Sequence, residues 1–144
     1  MINLIYIAMS LVYVFSISLP LHSGTLTVGD KSSYKDLQSA INAAQNGDIV
    51  NIETGTYLIA ETIKITGRKN LSIIGQGKVV YFVTSRDSYF ISILDSTNIN
   101  INNIVASHNP EILSCGSGVA RAKNSDYVTF LANEFNGCGT IGID

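Results

Sequence analysis

The stretch "NGDIVNIETGTYLIAETIKITGRKNLSIIGQG", Asn46 to Gly77, decides the architecture. Three runs within it, "DIVNI", "TIKI" and "NLSII", alternate apolar and polar residues at a period of two and are rich in β-branched side chains. They read as short strands. Between them stand "ETGT", "TGRKN" and "GQGK", turn compositions that lack the dipeptides of a tight hairpin. Short strands joined by open turns suit either a sandwich or a stack of coils.

Repetition separates these two. "NLSI" (Asn70–Ile73), "NINI" (Asn98–Ile101) and "YVTF" (Tyr127–Phe130) share one pattern: a polar or aromatic lead, then aliphatic, small polar, apolar. Their spacings are 28 and 29 residues. A second pattern, "CGSGVA" from Cys115 and "CGTIGI" from Cys138, recurs after 23 residues. Strand-bearing repeats of this length without internal helices predict an all-β solenoid of about four coils. A coil cannot bury its inward apolar row alone, so successive coils stack in parallel and cover one another. Asn98, Asn100, Asn102 and Asn103 suit the corners, because stacked turns hold ladders of amides and Asn tolerates left-handed backbone.

Upstream of the stack, "TLTV" (Thr25–Val28) predicts a first strand. In "SSYKDLQSAINAAQNGD", Ser33 and Asp36 resemble a capping box, Tyr34, Leu37, Ile41 and Ala44 recur at helical spacing, and Gly47 supplies a stop. One amphipathic helix over about residues 33–46 follows, placed to cover the apolar end and open edge of the first coil. The first stretch is almost continuously apolar from Leu4 to Leu21, carries no charge and is broken by Pro20. It is expected to be a secretory signal over 1–23, with an uncleaved anchor as the alternative. Residues 24–144 then form one exported domain, secreted, periplasmic or at the cell surface, with coils over about 48–144. The membrane is a partner only if the leader stays attached.

The 144-residue chain has a formal net charge of −2 and only 14% charged residues, so no basic stripe exists to neutralise a phosphate backbone and nucleic acid is excluded as a partner. Metal chemistry finds no ligand set at suitable spacing: His22 lies in the leader, and His108 stands alone beside Asn109-Pro110, where it reads as a solvated turn residue. No cofactor is evident. Carboxylates after the helix are scattered, and Asp87 beside Arg86 and Asp126 near Arg121 read as surface pairs or turn caps. If a coil takes 23 residues, Cys115 and Cys138 lie one above the other at the strand spacing, within reach of a disulfide; stacked buried thiols are the other reading.

The run "LQSAINAAQNGDIVNIETGTYLIAETIKITGRKNLSIIGQG" resembles the N-terminal cap and first coils of the right-handed parallel β-helix proteins, the pectin lyase-like superfamily. Ala40-Ile41, Ala43-Ala44, Gly47-Asp48, Val50, Ile52, Gly55-Thr56-Tyr57, Ile63, Ile65, Leu71, Ile73, Gly75 and Gly77 carry the likeness. The resemblance implies a right-handed single-stranded helix and an association with acidic, uronic-acid-rich polysaccharide. Its enzymes are lyases, hydrolases and esterases. Calcium is implied only through the lyases. The shared opening closes one end of the stack, so Gly55-Thr56-Tyr57 is structural: a tight turn with a ring packed over it. Motifs of the family's enzymes such as "GHG", "RIK" and "DFIFG" do not occur. Catalytic residues therefore stay unassigned. "GCGTIGID" ends the chain in a strand-like run, so the last coil is expected to be uncapped: a fragment, a truncated product, or a chain that stacks on a partner. The functional expectation is the N-terminal part of a polysaccharide-acting or polysaccharide-binding protein, inactive alone; the alternative is a non-catalytic adhesion or periplasmic module. "NLS" at Asn70 is a formal glycosylation sequon.

Overall fold

Alternation at a period of two, interrupted every few residues by a corner, produces twelve short strands and one helix among the described residues. A computed structural model of the protein describes residues 23–111 and 116–137. In chain order the elements are β1 (Thr25–Val28), α1 (Leu37–Ala43), β2 (Ile49–Ile52), β3 (Gly55–Ile59), β4 (Ile63–Thr66), β5 (Lys69–Gly75), β6 (Val79–Val83), β7 (Ile91–Leu94), β8 (Thr97–Asn102), β9 (Val105–His108), β10 (Ala120–Lys123), β11 (Asp126–Leu131) and β12 (Glu134–Asn136). Every pairing between them is parallel. They form three sheets: sheet A, β1-β2-β5-β8-β11; sheet B, β3-β6-β9-β12; sheet C, β4-β7-β10. The chain visits A, B and C in turn, and each circuit is one coil. The expected β-solenoid of about four coils is what the chain forms.

Inside the coils, residues in register stack into columns. Leu71, Ile99 and Val128 make one, Ile73, Ile101 and Phe130 the next, and Ile65, Ile93 and Ala122 a third. The isoleucines among them are fully buried. Each contributes about 1.5–3 kcal/mol of transfer free energy. An aromatic series runs along the axis: Tyr57 stacks on Tyr81 at 4.9 Å, Tyr81 meets Phe90 at 4.8 Å, and Phe90 reaches Phe135 at 6.2 Å. In sheet B, Ala106 occupies the position between Tyr81 and Phe135. Its single methyl group leaves room for Phe90 to enter from the turn before β7.

Corners are built on left-handed backbone. Gly47, Asn70, Asn98 and Tyr127 occupy equivalent positions in successive coils, with φ of 96°, 54°, 55° and 55°. Gly67, Asp95 and Asn124 form a second such set. Amides link the coils there: Asn98 Nδ2 donates to Asn70 Oδ1 at 2.8 Å and Asn124 Nδ2 to Asp95 Oδ1 at 3.2 Å. Of the asparagines expected at corners, Asn98 and Asn103 are left-handed, whereas Asn100 and Asn102 are outward residues of β8. At the A-to-B corner, a side chain on Gly75 would run into the backbone oxygen of Asn103 in the next coil, so only glycine fits.

The N-terminal cap differs from the expected one in length and in how it works. Asp36 is itself the helix N-cap, accepting from Ser39 N at 2.8 Å, and Tyr34 lies in extended backbone bridged to Val28. The helix is therefore seven residues long. It buries Leu37, Ala40 and Ile41, as its periodicity requires. Edge protection is divided. β1 covers the β2 edge of sheet A, and the Gln38 side chain covers sheet C, accepting from Lys64 N at 2.7 Å and donating to Lys64 O at 3.1 Å. Arg68, one coil on, donates to the helix-end carbonyls of Ala44 and Asn42. Asp48 is buried and clamps the cap to the first coil, accepting from Gly24 N and Gln45 N, both at 2.7 Å.

Coil length is not uniform. Ile49 pairs with Ser72, 23 residues on, while Lys69 pairs with Thr97 at 28 and Thr97 with Asp126 at 29. The 28 and 29 spacings of "NLSI", "NINI" and "YVTF" are thus the register of sheet A. The 23-residue offset belongs to the β2–β5 pair, whereas β10, after Cys115, follows β7 at the longer spacing of 29 and β9, before it, pairs Val105 with Val80 of β6. Cys115, Cys138 and the leader before Ser23 lie outside the described residues.

Candidate functional site

The variation in coil length is concentrated at the corner between sheets B and C. Successive strands there are separated by residues 60–62, 84–90 and 109–119, so the connection lengthens from three to seven to eleven residues along the stack. The connections interlock. Ser88 Oγ donates to Ala60 O at 2.9 Å, Tyr89 N to Thr62 Oγ1 at 2.9 Å, and Gly116 N to Arg86 O at 2.9 Å.

The outer face of sheet C carries three cations, Lys64, Arg121 and Lys123. Period-two alternation points Ile63, Ile65, Ile91, Ile93, Ala120 and Ala122 inward and leaves two outward rows. Lys64, Ser92 and Arg121 are in register in the first, and Thr66, Leu94 and Lys123 in the second. No outward residue of these strands is acidic. The Arg121 guanidinium carbon lies 5.0 Å from the centre of the Tyr89 ring, and its Nη2 donates to Ser92 Oγ at 3.3 Å. Such stacking contributes about 0.5–1 kcal/mol at a half-exposed position and orients the planar fork. Ser92 is buried beneath it although it points outward. Arg121 Nε, enclosed, has no partner among the described residues.

Toward the cap the same face deepens into a groove of about 580 Å³ between α1 and the 84–90 connection. Gln38, Asn42, Glu61, Lys64, Thr66 and Arg68 line it. It is polar and open, a shape for an extended ligand. A fixed arginine, two lysines and a polar groove can bind carboxylate or other anionic groups along a line.

The carboxylates are mostly committed to structure. Besides Asp36 and Asp48, Glu53 accepts from Ser32 Oγ at 2.7 Å, and Glu134 accepts from Asn136 at 2.7 Å. Arg86 and Asp87 form an exposed pair at 3.7 Å, as the sequence suggests. Arg121 turns to Ser92 and Tyr89 and not to Asp126, which is exposed at the start of β11. Among the described residues no group of three or more His, Cys, Asp or Glu converges as a metal site.

His108 corrects the reading of a solvated turn residue. It is buried at the end of β9, inward-facing beside Val83, and its Nε2 donates to Ser88 O at 3.0 Å. The alternation of Ala106 with His108 is the signal that identifies it. Gly55-Thr56-Tyr57 is structural as expected: Tyr57 lies over Gly55 and its hydroxyl donates to Glu53 O at 2.9 Å. The role of Arg121 had no signal of its own in the sequence, because Tyr89 and Ser92 lie one coil away.

Comparison of the chain with family models, with curated proteins and with solved structures found no match.

Proposed function

We propose that this chain is an exported, pectin lyase-like β-helix protein that holds an acidic polysaccharide against the outer face of sheet C. The observation that carries the reading is Arg121, held between Tyr89 and Ser92 in register with Lys64 and one step from Lys123. Carboxylates along a uronate polymer are the matching groups, since a planar guanidinium takes them two oxygens at a time. Cap motifs resembling that superfamily support the same substrate class. Calcium, which the resemblance implies only through the lyases, has no fitting set of oxygen ligands on this face, whose outward strand residues include no carboxylate.

Binding without turnover is the favoured form, because Asp36, Asp48, Glu53 and Glu134 are engaged in structural hydrogen bonds. Glu61 is the one carboxylate among the described residues that line the groove, where paired carboxylates would be needed for acid–base work. An adhesion or periplasmic module fits that use. Titration with polygalacturonate in low salt tests it. Replacing Arg121 by Ala is expected to weaken binding about tenfold, and raising the salt to weaken it further, while a neutral dextran shows no binding. Equal affinity for both polymers, or an unaffected Arg121→Ala variant, refutes the reading. Unsaturated-product absorbance appearing with polygalacturonate and calcium would overturn the non-catalytic form.

A further inference from the structure

Sheet A has the opposite chemistry to sheet C. Its inward residues, among them Val50, Ile52, Leu71, Ile73, Ile99 and Ile101, are buried, so the alternate residues form the outer face. Two registered rows cross all five strands. Thr25, Ile49, Ser72, Asn100 and Thr129 make the first. Thr27, Asn51, Ile74, Asn102 and Leu131 make the second. None of the ten is charged, although an ordinary protein surface is roughly 25–35% charged. Hydroxyls and amides predominate, groups that donate and accept, although the Asn51 oxygen already accepts from Gln76 Nε2 and the Asn102 oxygen is buried. Ile49, Ile74 and Leu131 interleave apolar area between them.

From this face we infer a second binding surface, for a neutral, insoluble polysaccharide with ordered chains. Charge points to the partner: an anionic polymer finds its counter-charges on sheet C, whereas the two rows here carry none and Lys69, exposed at the start of β5, stands outside them. Hydroxyl arrays match rows of Thr, Ser and Asn, which exchange donor and acceptor roles freely, and the apolar side chains meet the faces of sugar rings. Rows repeating at about 4.8 Å across parallel strands present a regular lattice, suited to an ordered surface and not to one small molecule. The protein then joins two polymers, anionic on one face and neutral on another.

Co-sedimentation of the full chain with microcrystalline cellulose tests this surface. Retention is expected to be unchanged in 1 M salt, because no ion pair is involved. The double substitution Ser72→Lys with Asn100→Lys is expected to reduce retention about tenfold by placing two charges that must lose hydration against the lattice. Thr129→Lys, at an exposed position of β11, is the second variant and perturbs folding least; it is expected to act in the same direction. Arg121→Ala is expected to bind cellulose normally, which separates this surface from sheet C. Absence of retention, loss of retention in salt, or retention indifferent to both sets of lysine substitutions each overturns the proposal.

Discussion

Tyr127 is the residue least suited to its place. It occupies a left-handed corner that glycine and asparagine fill in the three preceding coils, and the residue is 80% exposed. An L-residue with a bulky side chain is disfavoured there by about 1–2 kcal/mol, from which Asn is largely exempt. Tyr127→Asn is expected to stabilise the protein by about 1 kcal/mol in urea unfolding, and to extend the Asn70–Asn98 amide ladder by one rung. A destabilised variant would show that the ring makes a contact worth more than the strain. The lead position of "NLSI", "NINI" and "YVTF" was legible as a repeat, but its meaning lies in backbone conformation. Buried His108 and the fixed Arg121 were less legible, because each is defined by partners twenty or more residues away.

At the level of elements, the cap shows how a short helix closes a parallel sheet. A seven-residue helix has little intrinsic stability, and α1 depends on neighbours for both ends: Asp36 at the first turn, Arg68 from the next coil at the last. Its Gln38 amide stands in for a strand beside β4. Gln38→Ala is expected to cost about 1 kcal/mol for two partly solvated hydrogen bonds, and to speed hydrogen exchange at the Lys64 amide while leaving that of Ile52 unchanged. Unaltered exchange at Lys64 would mean that water replaces the side chain fully. Strands β1, β4 and β5 were legible from alternation alone, and the helix from its apolar spacing. Helix length was not, because Asp36 competes successfully for the cap and Tyr34 for a bridge to Val28. The variation in coil length was not legible for a different reason: the B-to-C connections absorb extra residues without disturbing register.

For the whole molecule, the aromatic series along the axis links stability to pH. Burial, aided by the neighbouring Tyr57 and by Asp36, holds the Tyr81 phenol far above its ordinary pKa of 10.0. Tyr57 is raised in the same direction by burial, with Glu53 and Asp30 adding to it. Below about pH 10 both folded and unfolded chains keep these protons, so stability is intact. Above it the unfolded chain ionises first, and the folded state loses ground as the pH rises toward the folded values. Tyr81→Phe keeps the stacking on Tyr57 and Phe90 and removes a buried hydroxyl that has no partner among the described residues. The variant is expected to be about 1 kcal/mol more stable at neutral pH and to show a shallower alkaline decline in thermal melts. A steeper decline would place the pH response elsewhere.

The register of the coils also bears on how the chain comes together in time. Each strand finds its partner 23 to 29 residues earlier, whatever its position in the stack. Closing such a loop has nearly the same entropy cost at every step. Assembly can therefore advance one coil at a time from the completed N-terminal end, each coil offering its successor a ready template, in the order in which the ribosome releases them.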